Sequence, residues 1–174
     1  VVNVPALVIL RGNSASGKST VARRVQVEAD GARIAVIGQD QVRRELLNEE
    51  DNPNLDTIGV VELLAEHCLD LGRTTIVEGI YKRFRYGEMF DRLRALAAAR
   101  DLPVLIYYLD VGLEETIRRH AGKPIAGVVT DDDLRSWYRE RDLLDVPGEQ
   151  VLGESMSEDV LVERILADLG AASR

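Results

Sequence analysis

The 174-residue sequence is 45% hydrophobic and 30% charged, enough for one domain with a sizeable core and unlike a disordered or fibrous chain. Its formal net charge of −8 argues against long nucleic acid as a partner. No apolar run approaches the roughly 18 residues that span a bilayer and no basic-then-apolar leader opens the chain, so a cytoplasmic protein without a membrane partner is expected.

Short apolar runs alternate with longer amphipathic segments from end to end, the pattern of strands crossing through helices into a parallel sheet. This predicts the α/β class and a single domain over residues 1–174. The first strand is expected over Ala6 to Leu10, and directly after it stands Gly12-Asn13-Ser14-Ala15-Ser16-Gly17-Lys18-Ser19, followed by Thr20. These residues satisfy every fixed position of the Walker A pattern G-x-x-x-x-G-K-[ST], between a strand and a helix predicted over Lys18 to Ala29. Glycines let the backbone curl so that successive N–H groups point at phosphate oxygens, and the helix start adds its positive end. Lys18 is expected on the β- and γ-phosphates of ATP and the Ser19 hydroxyl on Mg²⁺.

A second strand, Ile34 to Ile37, leads into Gly38-Gln39-Asp40-Gln41-Val42-Arg43. Asp40 then emerges at the carboxyl rim of the sheet, where open α/β sheets bind ligands. A carboxylate there suits the proton of an acceptor hydroxyl, and equally the N-cap of a helix over Gln41 to Asn48. Arg43, three residues on, faces the same way and suits an anionic or hydroxyl-rich part of the acceptor. Asn48 to Asp56 reads as a loop.

The next helix, Thr57 to Leu71, places Cys68, the single cysteine, on its expected buried face; one cysteine excludes an intrachain disulfide and a cysteine zinc site. Gly72 is expected to end this helix. A third strand, Thr75 to Val77, runs into Glu78, a Walker B-like acid expected at Mg²⁺ and beside the substrate. The stretch Tyr81-Lys82-Arg83-Phe84-Arg85-Tyr86 suits either a wall of the acceptor pocket or the solvated start of a helix over Tyr86 to Ala99.

A fourth strand, Val104 to Leu109, precedes a helix over Leu113 to His120 that ends in Arg118, Arg119 and His120. With the loop Gly122 to Val129 it suggests a lid at about 118–132, in which Arg118 or Arg119 meets the ATP phosphates; the same residues also suit a helix C-terminus through its dipole. Thr130 caps a helix predicted over Asp131 to Leu143, whose Trp137 and Tyr138 are expected to pack it onto the domain. A weaker strand over Gln150 to Leu152 and a helix over Ser157 to Leu169, ended by Gly170, complete the prediction.

A phosphate loop, Asp40-x-x-Arg43 after the second strand and an arginine-bearing lid resemble the P-loop small-molecule kinases, a group that includes shikimate and gluconate kinases, chloramphenicol phosphotransferase, polynucleotide kinase and the zeta toxins. The resemblance spans nearly the whole chain. It implies a three-layer fold with strand order 2-3-1-4-5, Asp40 as catalytic base and adenine contacts near Gly153 to Ser157. Glu78-Gly79-Ile80 is similar to the ending of this strand in uridine kinase and phosphoribulokinase, whereas the glycines of shikimate kinase after this strand are absent. The expected activity is transfer of the ATP γ-phosphoryl group, with Mg²⁺, to a hydroxyl of a small molecule. A nucleotide or polynucleotide 5′-hydroxyl kinase and a non-catalytic ATP sensor are the alternatives.

Overall fold

The computed structural model describes residues 4–50, 56–121 and 129–172. Five strands form one parallel sheet: β1 (Leu7–Gly12), β2 (Ile34–Gly38), β3 (Thr74–Gly79), β4 (Val104–Asp110) and β5 (Glu149–Gly153), in the spatial order β2-β3-β1-β4-β5. The helices are α1 (Lys18–Glu28), α2 (Asp56–Asp70), α3 (Arg83–Ala98), α4 (Leu113–Ala121), α5 (Asp131–Trp137) and α6 (Glu158–Ala172), with a short π-type helix over Gln41–Leu46.

Central β1 is buried along its whole length. Its apolar side chains nonetheless divide between two cores: Leu7 and Ile9 pack with α2 and α3 residues such as Val61, Phe90 and Leu93. Val8 and Leu10 pack with Val21, Val25, Val162 and Ile165 of α1 and α6. Because both faces are covered, Leu7 to Leu10 are all apolar and the run shows no alternation in sequence.

The fold agrees with the expected class and strand order, and it corrects several local expectations. In α2 the buried stripe runs through Thr57, Val61, Ala65 and Leu69, strict four-residue steps that leave Cys68 half-buried instead of inside. Gly72, at φ +69°, closes α2 as expected: the N–H of Arg73 reaches the carbonyl of Cys68 and that of Gly72 reaches Leu69. Gly170 does not end α6, which continues to Ala172. Helix α3 begins at Arg83, three residues earlier than expected.

Thr130 caps α5 in a reciprocal capping box with Asp133. That helix stops at Trp137, well short of Leu143, because Tyr138 turns extended and the next residue's main chain bonds to the Asn13 side chain. Most of the predicted loops Asn48 to Asp56 and Gly122 to Val129, and so the middle of the predicted lid, lies outside the described residues.

Candidate active site

The phosphate loop leaves β1 at Gly12, where no other residue fits: a Cβ would stand 2.7 Å from the Leu109 carbonyl oxygen and 2.8 Å from Ser16 Oγ. Gly17, at φ +97°, turns the chain into α1. Lys18 is nearly buried, and its ammonium donates to the Asn13 carbonyl at 2.7 Å and to Ser16 Oγ at 3.1 Å. The cation is thus held across the mouth of its own loop, where phosphate oxygens can replace the carbonyl and hydroxyl as acceptors.

Strand β3 extends two residues beyond the expected end, so Glu78 lies within the sheet, opposite Leu10 of β1 and Gly38 of β2. It is 8% exposed and accepts a hydrogen bond from Ser19 Oγ at 3.0 Å. Burial holds its carboxyl above the usual carboxylate range, opposed by the Lys18 charge and the Ser19 hydrogen bond. Asp40 sits on the adjacent rim and makes no capping bond. Its carboxylate meets Arg43 at 3.3 Å and Arg44 at 3.2 Å.

One cavity of about 310 Å³ brings Ser14, Ala15, Lys18, Ser19, Asp40, Arg43 and Glu78 together. Tyr81, Lys82, Arg85 and Tyr86 line it too, so much of the basic and aromatic stretch contributes wall as well as helix start; Phe84 is exposed. Trp137, expected as a packing residue, is half-buried and also lines it. His120 is buried, and its Nε2 donates to the Val129 carbonyl at 2.9 Å, tying the end of α4 to the residue before Thr130.

Arg118 and Arg119 lie elsewhere. A second cavity, about 490 Å³, joins them to Ala15, Ser16, Gly17 and Thr20 of the loop and to Glu154, Ser155, Met156 and Ser157 after β5. Both arginines bind Glu115 at 2.6 Å, which pulls its carboxyl down to about 2. The phosphate loop thus borders two cavities, the first lined by Lys18 and Ser19 and the second by Ser16, Gly17 and Thr20, with Ala15 common to both.

Sequence reasoning missed the buried support beneath the site. Arg11, 0% exposed, donates to the Tyr81 carbonyl at 2.8 and 3.1 Å, to Asp142 at 2.9 Å and to Glu149 at 3.5 Å. Burial pulls the guanidinium below its ordinary value, and the two carboxylates oppose that shift. Gln39 accepts from the N–H groups of Ile80 and Tyr81 and donates to the Tyr86 hydroxyl at 2.8 Å. These bonds hold Tyr81 at φ +39°, its ring edge-on to Tyr86 and Phe90. A charged residue at the end of an otherwise apolar strand was the available signal, because a buried arginine requires carboxylate partners.

Residues 7–147 match a family model described as an AAA domain. No curated protein matches the sequence. Among solved structures, the APS kinase CysC of Mycobacterium tuberculosis, in complex with AMPPNP and APS, superposes with a TM-score of 0.71 at 22% identity, covering 97% of this chain and 98% of that one. A sugar kinase from Janibacter gives 0.63 at 21% identity over 97% and 98%. A gluconokinase from Sinorhizobium meliloti gives 0.63 at 15% identity over 98% and 95%. At these identities the likeness is one of fold.

Proposed function

Because the chain belongs to the AAA-domain family, with a P-loop fold and an intact Walker A loop, we propose that it is a kinase moving the γ-phosphoryl group of ATP to a hydroxyl of a small molecule. The observation that carries this reading is the convergence of Lys18, Ser19, Asp40 and Glu78 on one cavity. A nucleotide sensor needs Lys18 and Ser19 but has no use for a carboxylate on the acceptor rim.

The donor set suits Mg²⁺. Ser19 Oγ and Glu78 Oε1 are hard oxygen ligands 3.0 Å apart, and the buried carboxyl, short of compensating charge, gains from a cation. Among the described residues no cluster of three or more acidic, histidine or cysteine side chains offers a complete metal cage, in keeping with an ion that shares its shell with phosphate and water. The bound ion supplies charge neutralisation to the phosphates.

The chain's own groups do the rest. Loop N–H groups and Lys18 hold the β- and γ-phosphates. Asp40 takes the acceptor's hydroxyl proton as its oxygen attacks, and Arg43 with Arg44 orients that carboxylate. Arg118 or Arg119 closes over the donor from the second cavity. Arg43, Arg44, Lys82 and Arg85 around the acceptor cavity keep nucleotides among the candidate acceptors. No helix of the described residues is long and apolar enough to cross a membrane, and we place the activity in the cytoplasm.

The test is ADP release from ATP with nucleosides, nucleotides, sugars and hydroxylated antibiotics as acceptors. Stimulation by one class, lost in Asp40→Asn, is expected. No stimulation by any of them, or an indifferent Asp40→Asn, overturns the reading. Filter binding with oligonucleotides at low salt is expected to show no retention, given the net charge of −8.

A further inference from the structure

In a chain with 30 acidic and 22 basic residues, an arginine ordinarily meets carboxylates in excess. Arg24 meets Glu28, Glu158 and Asp159, Arg100 meets Glu66 and Asp70, and buried Arg11 meets Asp142 and Glu149. Among the described residues, two carboxylates reverse that ratio and serve two arginines each. One is Glu115, which lines the second cavity with Arg118 and Arg119. The other is Asp40, which lines the first with Arg43 and Arg44. Arginine in excess over carboxylate thus collects at the two cavities that border the phosphate loop, against the sign of the whole chain.

The Asp40 pairing leaves most of both guanidinium groups unused. Arg43 reaches Asp40 through Nη2 alone and Arg44 through Nε alone, both at the same oxygen, Oδ1, at 3.3 and 3.2 Å. An ion pair to an exposed carboxylate is weak, so this contact places the two forks without saturating their donors. Lys82 and Arg85 line the same cavity. Lys18 is turned to its own loop and Glu78 to Ser19, which leaves four cations around one carboxylate on the acceptor side. Such a wall demands acceptor oxygens from its ligand. A neutral polyol brings donors along with its acceptors, and a carboxylate fills a single guanidinium fork. A phosphate ester brings more terminal oxygens and a charge near −2, and spans both forks.

We propose that the acceptor is itself a phosphate ester: Arg43 and Arg44 clamp its phosphate, and Oδ2 of Asp40, the oxygen that neither arginine holds, meets the reacting hydroxyl. Lys82 and Arg85 add their charge to the same cavity. The ester's own phosphate is a handle that is neither transferred nor cleaved. The inference rests on the kinase reading and narrows its acceptor to a sugar phosphate or a nucleoside monophosphate, which share this chemistry. Charge-assisted hydrogen bonds to the handle support a preference of about tenfold or more over the same molecule without it.

The test is ADP release with matched acceptors: ribose against ribose 5-phosphate, glucose against glucose 6-phosphate, and nucleosides against their 5′-monophosphates. In at least one pair the ester is expected to exceed the dephosphorylated member about tenfold or more in kcat/KM, and the responding pair separates sugar esters from nucleoside esters. Arg44→Gln, at an exposed side chain, is expected to cut that ratio about tenfold through the acceptor KM, with the KM for ATP unchanged. Because the ratio compares two acceptors on one variant, any loss of Asp40 orientation cancels. Dephosphorylated members used as well as the esters or better, or a ratio that Arg44→Gln leaves unchanged, overturn the proposal while the kinase reading stands. Should no acceptor be phosphorylated, the same esters are titrated calorimetrically into protein filled with β,γ-imido-ATP and Mg²⁺. Ester binding that Arg44→Gln weakens then keeps the clamp and loses the kinase reading, and no binding of any ester overturns both.

Discussion

Glu78 and Asp40 are both carboxylates at the carboxyl end of adjacent strands, yet their surroundings give them opposite roles. Glu78 is sealed between β1 and β2, and burial raises its proton affinity on folding. A carboxyl whose folded pKa lies above its unfolded value costs stability when ionised, and that cost fades as pH falls through the raised pKa towards the unfolded value. Glu78→Gln is therefore expected to raise the melting temperature of the nucleotide-free protein near pH 8, by roughly 2–4 °C for each kcal/mol recovered. The gain is expected to shrink towards about pH 4, where the native carboxyl is protonated. Thermal melts across that range check the sign, and the same variant is expected to lose Mg²⁺-dependent turnover. Asp40, with its side chain 67% exposed, keeps its carboxylate in solvent, paired with two arginines. Asp40→Asn is expected to lower kcat by about 10²- to 10⁴-fold, as for loss of a positioned base, with the KM for ATP little changed. Steady-state kinetics separate the two constants.

The strands and helices carry the site through a layer of buried polar contacts. Arg11 joins the end of β1 to the Tyr81 turn, to Asp142 and to the first residue of β5. Arg11→Ala leaves Glu149, whose side chain is 4% exposed, without its cation, and removal of one partner from a buried pair costs about 3–5 kcal/mol. Urea unfolding is expected to show a loss of that order with m unchanged. Arg11→Met, similar in length, is expected to recover packing but not the placement of Tyr81, so stability and acceptor KM should respond differently. The early end of α5 has the same origin. Residues 138–143 have helical composition, but the Asn13 amide offers the Arg139 N–H and carbonyl an alternative to the helical ladder.

For the molecule as a unit, the two cavities that border the phosphate loop bear on how ligands stabilise it. On the proposed function, a nucleotide held by the phosphate loop binds only the folded chain, so ATP at 100 times its Kd is expected to add about 2.7 kcal/mol of stability. A melting-temperature shift of several degrees with ATP and Mg²⁺, abolished in Lys18→Ala, is the check. Although the net charge is −8, the cavity beside Asp40 is lined by Arg43, Arg44, Lys82 and Arg85, so the local sign there differs from that of the whole.

Much of this was legible in the amino-acid order because its causes are local. Gly12 to Ser19 follows an apolar run, and glycine spacing alone dictates a loop that curls around phosphate. Runs rich in Val, Ile and Leu mark strands, although β2, whose run reads as a central strand, lies at the edge of the sheet, and Thr130 beside three aspartates marks a helix start. The depth of Cys68, the end of α5, the reach of β3 past Val77 and the division of the arginines between two cavities were not legible. The end of α5 depends on a partner far along the chain, Arg139 on Asn13, and so does the buried support of the site: Arg11 on Asp142 and Glu149, Tyr81 on Gln39. Periodicity and motif spacing report how a segment relates to its own neighbours. Which buried polar group satisfies which is settled when crossovers bring remote segments together, and it is those pairings that set the walls beside the phosphate loop.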